Sequence, residues 1–256
     1  MCQLLGMNAN TPTDVLFSFA GLAHRAEEHR DGFGIAFFED RGLRLFIDPE
    51  SALTSPVAEM VRHYPIRSHN VIAHIRKATV GRVALENCHP FVRELWGRYW
   101  VCAHNGDLKG FAPVLHGAFR PVGGTDSEIA FCWLMQELAK AHAGVPTVEE
   151  LTRTLSELLQ VPAAHGSFNL LLSNGQALFA HASTKLHWLV RQHPFGAATL
   201  ADDDLSVDFG ALTSPQDRVA VVATEPLTTD ETWTAMAPGT LQVFVDGAPF
   251  AAVACR

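Results

Sequence analysis

A cysteine in the second position is the first residue of the chain that could perform chemistry. Cys2 follows Met1, and a methionine before a small residue is readily removed, so we expect a mature chain that begins with Cys2. The freed α-amine would have a pKa of about 7.7–8.0 and could act as a base near neutral pH. Thiol and amine would then form a nucleophile and its base within one residue. The alternative is a small buried side chain in the first strand.

An arginine follows a predicted core strand and precedes a turn. Arg76 comes directly after the apolar segment 70–75, and Thr79 and Gly81 then turn the chain. A guanidinium holds a carboxylate through two parallel hydrogen bonds, so Arg76 could bind a small acid. A surface arginine at the end of a strand is the alternative interpretation.

Two further segments could complete a site for an amino acid. Asn105 and Gly106 usually indicate a turn, but the Asn105 amide and the Gly106 backbone N–H could also stabilise an oxyanion. Asp126 follows the glycines at 123 and 124 and begins a predicted helix. It could serve the N-terminus of that helix, which is the commoner role, or hold a substrate ammonium group.

The elements that would position these residues are many short strands and three or four helices. Strands are predicted over 2–7, 35–38, 42–48, 70–74, 99–102, 168–172, 176–182, 186–191, 218–223 and 241–245. Helices are predicted over 16–23, 55–64, 126–141 and 147–160, with a break of the chain at 11–14. Asn174 and Gly175 predict a type I′ hairpin turn. Hairpins favour antiparallel sheets, so the fold class is α+β, in one domain over residues 1–256.

Composition and charge exclude several classes of protein. The net charge is -8 and the basic residues are scattered, whereas a nucleic-acid binder normally presents a basic stripe. The chain has no export leader and no apolar run of about 18 residues, so no membrane span is predicted. Five cysteines without a CxxC pair are typical of a reduced compartment, and we expect a cytoplasmic protein.

Other chemistries fit the sequence less well. Among 13 histidines, His24 with His29 and Cys102 with His104 are spaced like metal ligands, but no further ligand completes either pair. We therefore expect no metal or other cofactor. Cys102 could be a papain-like nucleophile, but its predicted place in a core strand favours an inert side chain. A module that senses an amino acid without catalysis stays open.

Four short motifs in this order resemble the class II glutamine amidotransferases, which are N-terminal-nucleophile hydrolases. The motifs are Met-Cys at 1–2, His-x-Arg-x-Ala-Thr-x-Gly at 74–81, His-Asn-Gly at 104–106 and Thr-Asp-Ser-Glu at 125–128. The match is strongest to the stand-alone YafJ-type subfamily, where the resemblance extends over nearly the whole chain. It includes segments 14–21, 84–87, 89–91, 93–98 and 193–196.

The resemblance implies a role for each matching residue. Cys2 would be the nucleophile and its α-amine the base, Asn105 and Gly106 the oxyanion hole, Arg76 the ligand of the glutamine α-carboxylate with Thr79 beside it, and Asp126 the ligand of the α-ammonium group. The implied fold is a four-layer αββα sandwich with two mainly antiparallel sheets. The implied reaction is hydrolysis of the glutamine side-chain amide through a γ-glutamyl thioester, without a metal.

Two features distinguish the chain from relatives that are fused to a synthase. Segment 29–34 replaces their Arg-Gly-Tyr-Asp-Ser stretch, and Lys77 stands where an aromatic residue often follows the arginine. No acceptor domain is expected after residue 245. The expected partner is a small-molecule substrate, glutamine or another γ-glutamyl compound, and a separate synthase subunit is a further candidate.

Overall fold

Two antiparallel sheets lie face to face between two layers of helices. The structure is a computed structural model that describes residues 2–27, 29–78 and 81–255. Its strands are β1 (Gln3–Asp14), β2 (Phe33–Glu39), β3 (Gly42–Asp48), β4 (Arg67–Ile75), β5 (Phe91–Leu95), β6 (Arg98–Leu108), β7 (Gly166–Ser173), β8 (Leu178–Ala182), β9 (His187–Gln192), β10 (Ala197–Thr199), β11 (Ser206–Asp208), β12 (Arg218–Ala223), β13 (Thr234–Ala235), β14 (Thr240–Val245) and β15 (Ala248–Ala254). Its helices are α1 (Leu16–His24), α2 (Pro56–His63), α3 (Asp126–Ala141), α4 (Val148–Leu158) and α5 (Gln160–Ala163).

The first strand lies at the centre of the larger sheet. That sheet has seven strands in the order β13-β9-β12-β1-β4-β2-β3, and β1 pairs antiparallel with both β4 and β12. The second sheet has six strands in the order β15-β14-β8-β7-β6-β5. Strands β10 and β11 form a separate two-stranded sheet. A strand with a partner on each side has its backbone groups satisfied, so β1 is held along most of its length.

Alternation along β1 shows how the layers form. Leu5 and Met7 belong to the hydrophobic cluster that includes Phe19 of α1 and Val61 of α2. Leu4, on the other face of the strand, belongs to the cluster between the two sheets. A third cluster lies between the second sheet and the pair α3 and α4. The four-layer αββα arrangement implied by the resemblance is therefore confirmed.

The sequence patterns in the middle of the chain predict correctly where two helices, α3 and α4, begin. Helix α3 begins at Asp126, as predicted, and Thr125 caps it by accepting a hydrogen bond from the Glu128 amide at 3.2 Å. Helix α4 opens with a complete capping box between Thr147 and Glu150. The helix predicted to end at about residue 160 ends at Leu158, and α5 follows it as a separate turn.

The predicted break at residues 11–14 is also wrong. Strand β1 continues to Asp14, and its pairing with β4 shifts between Asn8 and Thr13. This irregularity accommodates Pro12, which has no N–H to donate to a neighbouring strand. Asp14 still assists the start of α1, because its carboxylate accepts a hydrogen bond from the Leu16 amide at 2.6 Å.

The connection between β7 and β8 differs from the predicted type I′ turn. That turn needs positive φ at both central residues, but only Gly175 has it, with φ 84°. Asn174 instead accepts a hydrogen bond from the Gln176 amide through its side chain at 3.1 Å, which makes a longer connection over 174–177.

Five strands lie outside the predicted set. They are β5, β10, β11, β13 and β15. All five lie at sheet edges, where a strand is only partly buried and its hydrophobic alternation is correspondingly weak.

The described part of the chain contains no helix that is long and apolar enough to span a membrane. The cytoplasmic location stays a prediction from the sequence.

Two histidines are buried next to each other. His74 on β4 is 0% exposed and His89 is 4% exposed, and their ring centroids lie 4.3 Å apart. Burial lowers the pKa of His74 to about 3 and lowers the pKa of His89 well below its usual value. Both rings are therefore uncharged in the folded protein at neutral pH.

We expect the protein to lose stability in mild acid because of these two rings. Below a pH of 6.5, the usual value, the unfolded chain takes up protons that the folded protein does not bind. The free energy of unfolding should then fall by up to about 1.4 kcal/mol per pH unit for each histidine, until the low folded pKa is reached. Urea unfolding at a series of pH values measures this slope.

His74→Phe should flatten the slope by up to one such increment, because it removes one titrating ring of similar size. His63→Gln is the matched control, since the side chain of His63 is 78% exposed. Equal slopes for His74→Phe and the unchanged protein would contradict this explanation.

We expect Gly34 to tolerate no side chain, because β2 passes very close to the segment before β5. A Cβ at Gly34 would lie 2.3 Å from the His89 carbonyl oxygen and 2.6 Å from Ile47 Cγ2. Gly34→Ala should therefore lower the free energy of unfolding by about 1–3 kcal/mol in urea. The control is Gly144→Ala, where no atom lies within 4 Å of the added Cβ. Similar losses in both variants would show that the close approach is not rigid.

Candidate active site

The predicted site residues meet where β1 begins and where β4 and β6 end. Gln3 pairs with Ile75, so Cys2 and Arg76 are next to each other at the ends of neighbouring strands. Asn105 belongs to β6 in the other sheet, and its side-chain Nδ2 donates to the Cys2 carbonyl oxygen at 2.7 Å. Three residues from distant parts of the sequence thus converge at one end of the sandwich.

The Cys2 thiol lies against the backbone of Lys77. The Lys77 N–H donates to Sγ at 3.3 Å, and the thiol donates to the Lys77 carbonyl oxygen at 3.4 Å. Burial raises the pKa of the Cys2 thiol, while the Lys77 hydrogen bond and the Arg76 charge act in the opposite direction. The thiol is therefore mainly protonated near neutral pH, and it needs a base before it can attack.

Asn105 and Gly106 lie inside β6, so the turn interpretation is wrong. They pair with Asn169 and Phe168 of β7, and Asn169 Nδ2 donates to the Asn105 carbonyl oxygen at 3.1 Å. A Cβ at Gly106 would lie 1.7 Å from the Ser167 carbonyl oxygen, so only glycine fits. The cross-strand partners keep the segment extended where local turn preference predicts a reversal.

The Asn105 side chain has a donor to spare. Asn105 is 1% exposed, and its NH₂ group carries two donors, of which the Cys2 carbonyl uses one. The second donor can serve an oxygen that binds beside the thiol. The oxyanion role of Asn105 and Gly106 stays a prediction with which this geometry is compatible.

Arg76 is buried, with 3% exposure, and it organises the loops around it. Its guanidinium donates to the carbonyl oxygens of Asp31 at 3.4 Å, Gly81 at 3.4 Å and Arg82 at 3.2 Å. The Asp31 carboxylate in turn accepts from the Ala78 amide at 2.8 Å. The surface-arginine interpretation is wrong, because these contacts enclose the side chain. No role was assigned to Asp31 from the sequence.

Asp126 is the first residue of α3, and it connects that helix to the end of β6. Its carboxylate accepts from the Leu108 amide at 2.7 Å and from the Ser127 amide at 2.9 Å. The structural role at the start of the helix is therefore real. The carboxylate is only partly buried, and each oxygen has a further lone pair for an ammonium group. Binding of a substrate ammonium stays a prediction.

Asn87 links the loop around Arg76 to the loop before Asp126, a role that sequence reasoning missed. Its Nδ2 donates to the Arg82 carbonyl oxygen at 3.1 Å, and its Oδ1 accepts from the Gly124 amide at 2.9 Å. Asn87 is 2% exposed. In the sequence, Asn87 was noted only as part of segment 84–87, one of the segments that resemble the YafJ-type subfamily. No role was assigned to it there.

His104 on β6 is hydrogen-bonded to Ser127 in the first turn of α3. Its Nδ1 lies 2.8 Å from Ser127 Oγ, and its Nε2 lies 3.1 Å from the Ser167 carbonyl oxygen. Because a carbonyl oxygen can only accept, Nε2 carries the hydrogen and the Ser127 hydroxyl donates to Nδ1. Burial lowers the pKa of His104, which is consistent with this neutral form.

Thr79, which was predicted to lie beside Arg76, is outside the described residues. Among the described residues, no group of three or more His, Cys, Asp or Glu side chains is arranged to hold a metal ion.

The comparisons with known proteins agree on one family. A family model described as class II glutamine amidotransferases matches residues 1–256. YafJ of Escherichia coli (strain K12) is 49% identical over 251 residues, which cover 96% of this chain and 98% of YafJ.

Solved structures support the same conclusion. A Pseudomonas aeruginosa PA01 protein, described as a predicted glutamine amidotransferase, superposes with a TM-score of 0.79 at 43% identity, over 98% of this chain and 100% of that chain. The glutamine phosphoribosylpyrophosphate amidotransferase of B. subtilis shares the fold, with a TM-score of 0.63 at 14% identity, over 100% of this chain and 49% of that chain. Matches along nearly the whole length, in sequence and in structure, show that the chain belongs to the class II glutamine amidotransferases.

Proposed function

We propose that the protein hydrolyses the side-chain amide of glutamine, or of a related γ-glutamyl compound, with Cys2 as an N-terminal nucleophile. The observation that carries the proposal is the contact between the Asn105 amide and the Cys2 backbone, 2.7 Å from nitrogen to oxygen. It holds an oxyanion donor against the residue that bears the thiol. The proposal includes removal of Met1, which frees the α-amine of Cys2.

The first half of the reaction forms a thioester. The α-amine takes the thiol proton, and Sγ attacks the amide carbon to form a C–S bond. The tetrahedral intermediate then breaks its C–N bond, and the nitrogen leaves with the proton that the α-amine received. The products are a γ-glutamyl thioester on Cys2 and ammonia. The raised pKa of the thiol supports the need for this base, because an unassisted thiol would stay protonated.

The developing negative charge needs donors that are already in position. The second N–H of the Asn105 side chain and the Gly106 backbone N–H are the proposed donors. Donors fixed by the fold need no reorganisation during the reaction, and that is the main source of their effect. The burial of Asn105 supports this role, because an ion–dipole interaction is stronger where water is excluded.

The second half of the reaction releases glutamate. Water gives a proton to the α-amine and forms a C–O bond at the thioester carbon. The C–S bond then breaks, and the sulfur regains a proton. The base and the oxyanion donors are the same in both halves, so the site needs no other group.

Recognition of the amino-acid head would use two opposite charges, one on the loop after β4 and one at the start of α3. Arg76 is proposed to bind the α-carboxylate and Asp126 the α-ammonium group. Asn87 bridges the two loops through Arg82 and Gly124, so it would set the distance between the two charges. Both charged residues already hold backbone groups, and this fixes their positions before substrate binds. Such pre-organisation lowers the entropy cost of binding.

The fate of the ammonia is a separate matter. A separate synthase subunit is one candidate acceptor, and release as free ammonia is the other.

We expect Cys2→Ala to abolish the release of ammonia and glutamate, because it removes the atom that bonds to the substrate. The active protein should also have the mass of a chain that starts at Cys2. Both are measured on one purified sample, by coupled glutamate detection and by intact-mass spectrometry. Cys255→Ala is the matched control, since Cys255 lies in the last residues before the C-terminus, outside the site.

Two results would contradict the proposal. One is full activity in Cys2→Ala, and the other is full activity in a protein that retains Met1. A non-catalytic sensor would bind glutamine equally well with either residue at position 2 and would release no glutamate.

We expect Asn105→Ala to lower kcat by about 100- to 1000-fold with a smaller change in KM, as is usual when one oxyanion donor is lost. Steady-state kinetics on folded protein measure the two constants separately. Asn174→Ala is the control, because Asn174 is also buried, with 3% exposure, but lies in the β7–β8 connection. A normal kcat for Asn105→Ala would show that the Asn105 side chain is not an oxyanion donor.

A further inference from the structure

Two neighbouring peptide groups contact the Cys2 thiol. One joins Arg76 to Lys77, and its N–H, which belongs to Lys77, donates to Cys2 Sγ at 3.3 Å. The other joins Lys77 to Ala78, and its carbonyl oxygen, which also belongs to Lys77, accepts from the thiol at 3.4 Å. The position of the nucleophile therefore depends on the orientation of these two peptide groups.

Asp31 binds the opposite end of each of these peptide groups. Its backbone N–H donates at 3.2 Å to the Arg76 carbonyl oxygen, which belongs to the first group. Its carboxylate Oδ2 accepts at 2.8 Å from the Ala78 N–H, which belongs to the second group. A trans peptide group is planar, so its C=O and N–H point in opposite directions and turn together. Each group is thus bonded to Asp31 at one end and contacts the thiol with the other.

The segment that carries Asp31 is itself fixed. The Arg76 N–H donates to the Gly32 carbonyl oxygen at 2.8 Å, and the Arg76 guanidinium donates to the Asp31 carbonyl oxygen at 3.4 Å. Gly32 has φ 116°, a conformation that favours glycine. An added Cβ there would lie 2.8 Å from the Asp48 carbonyl oxygen and 2.9 Å from Cys88 Sγ. Asp31 therefore extends from a backbone that has little freedom to move.

We propose, on the basis of the proposed function, that Asp31 is a positioning residue for the nucleophile. It acts through the two peptide groups on either side of Lys77, and not on the substrate. Its carboxylate keeps the Lys77 carbonyl oxygen turned toward the thiol, and its backbone N–H keeps the Lys77 N–H directed at the same sulfur. Sγ is thereby held in one place before the α-amine removes its proton.

The two contacts with the sulfur act at different stages of the reaction. Before the reaction the Lys77 carbonyl oxygen accepts the thiol hydrogen, so the S–H bond has a fixed direction. After the α-amine has taken that proton, the Lys77 N–H still donates to the thiolate, and a hydrogen bond to a charged acceptor is stronger. Burial, the larger effect, raises the pKa of the Cys2 thiol, and this hydrogen bond lowers it. Asp31 supports the thiol and the thiolate through different atoms.

Two substitutions separate the position of the carboxylate from its charge. Asp31→Ala keeps the backbone groups of the residue and removes only the acceptor of the Ala78 N–H. Asp31→Asn removes the charge but keeps a side-chain oxygen that can accept the same hydrogen bond. A positioning role predicts that asparagine restores what alanine loses. A role of the negative charge predicts that both variants change alike.

We expect Asp31→Ala to lower kcat for glutamine hydrolysis by about tenfold to a hundredfold with little change in KM, because a displaced nucleophile affects the transition state and not substrate binding. Asp31→Asn should keep most of the activity. Steady-state kinetics on processed, folded protein measure both constants. The matched control is Asp14→Ala, since the Asp14 carboxylate also accepts from a backbone amide, that of Leu16 at 2.6 Å, but lies at the far end of β1. It should have a normal kcat.

Crystal structures of the processed protein and of Asp31→Ala measure the position of the sulfur independently of activity. We expect both contacts between Cys2 Sγ and Lys77 in the unchanged protein. In Asp31→Ala we expect the contact with the Lys77 carbonyl oxygen to be lost, because the peptide group to Ala78 is free to turn.

Four results would overturn the inference. They are a normal kcat in Asp31→Ala, an equal loss of kcat in Asp31→Asn, a rise in KM alone, and retention of both sulfur contacts in the Asp31→Ala structure. If Asp31→Ala does not fold, Asp31→Asn still tests the inference, because a large loss of kcat in that variant contradicts it. If the unchanged protein does not hydrolyse glutamine, the proposed function fails, and the two crystal structures still decide whether Asp31 positions the thiol.

Discussion

The hydrogen bond from Asn105 to the Cys2 carbonyl is the interaction on which the arrangement of the site depends. It joins the two sheets at the end of the sandwich where the thiol lies, at 2.7 Å. The first residues of a chain are normally poorly ordered unless tertiary contacts hold them. Here Leu4 also donates to Thr224 Oγ1 at 2.9 Å, and Gln3 begins the central strand. The first residues of β1 and Cys2 are thereby held by contacts from both sheets.

Several buried polar groups lie together at the same end of the sandwich. Arg76, Asn87, His74 and His104 are all at most 3% exposed there. Burying such groups costs free energy unless they are hydrogen-bonded, and the cost is much larger for a charged group. Arg76 and Asn87 meet this requirement by holding loop carbonyls, and His104 meets it through Ser127 and the Ser167 carbonyl. The ring nitrogens of His74 have no hydrogen-bond partner among the described residues, and burial keeps that ring uncharged.

Prediction from the sequence succeeded where the signal was local. The capping box at Thr147 and the loop-to-helix boundary at Asp126 depend on contacts between residues three positions apart, and both are present. It failed where partners are distant in sequence. Asn105 and Gly106 have strong turn preference, but Asn169 and Phe168 of β7 keep them in a strand. Asn87 was missed for the same reason, since its partners Arg82 and Gly124 belong to two different loops.

The sequence alone determined the family, the fold class and the identity of the candidate residues, because the order of four motifs is a one-dimensional property. How these residues are held depends on tertiary contacts that a motif does not encode. The structure shows that Arg76 is enclosed by carbonyl groups, that Asp126 connects α3 to β6, and that Asp31 bonds to both peptide groups next to the thiol. Distances between loops depend on how the strands and the two sheets pack, and no local pattern of residue types encodes that packing.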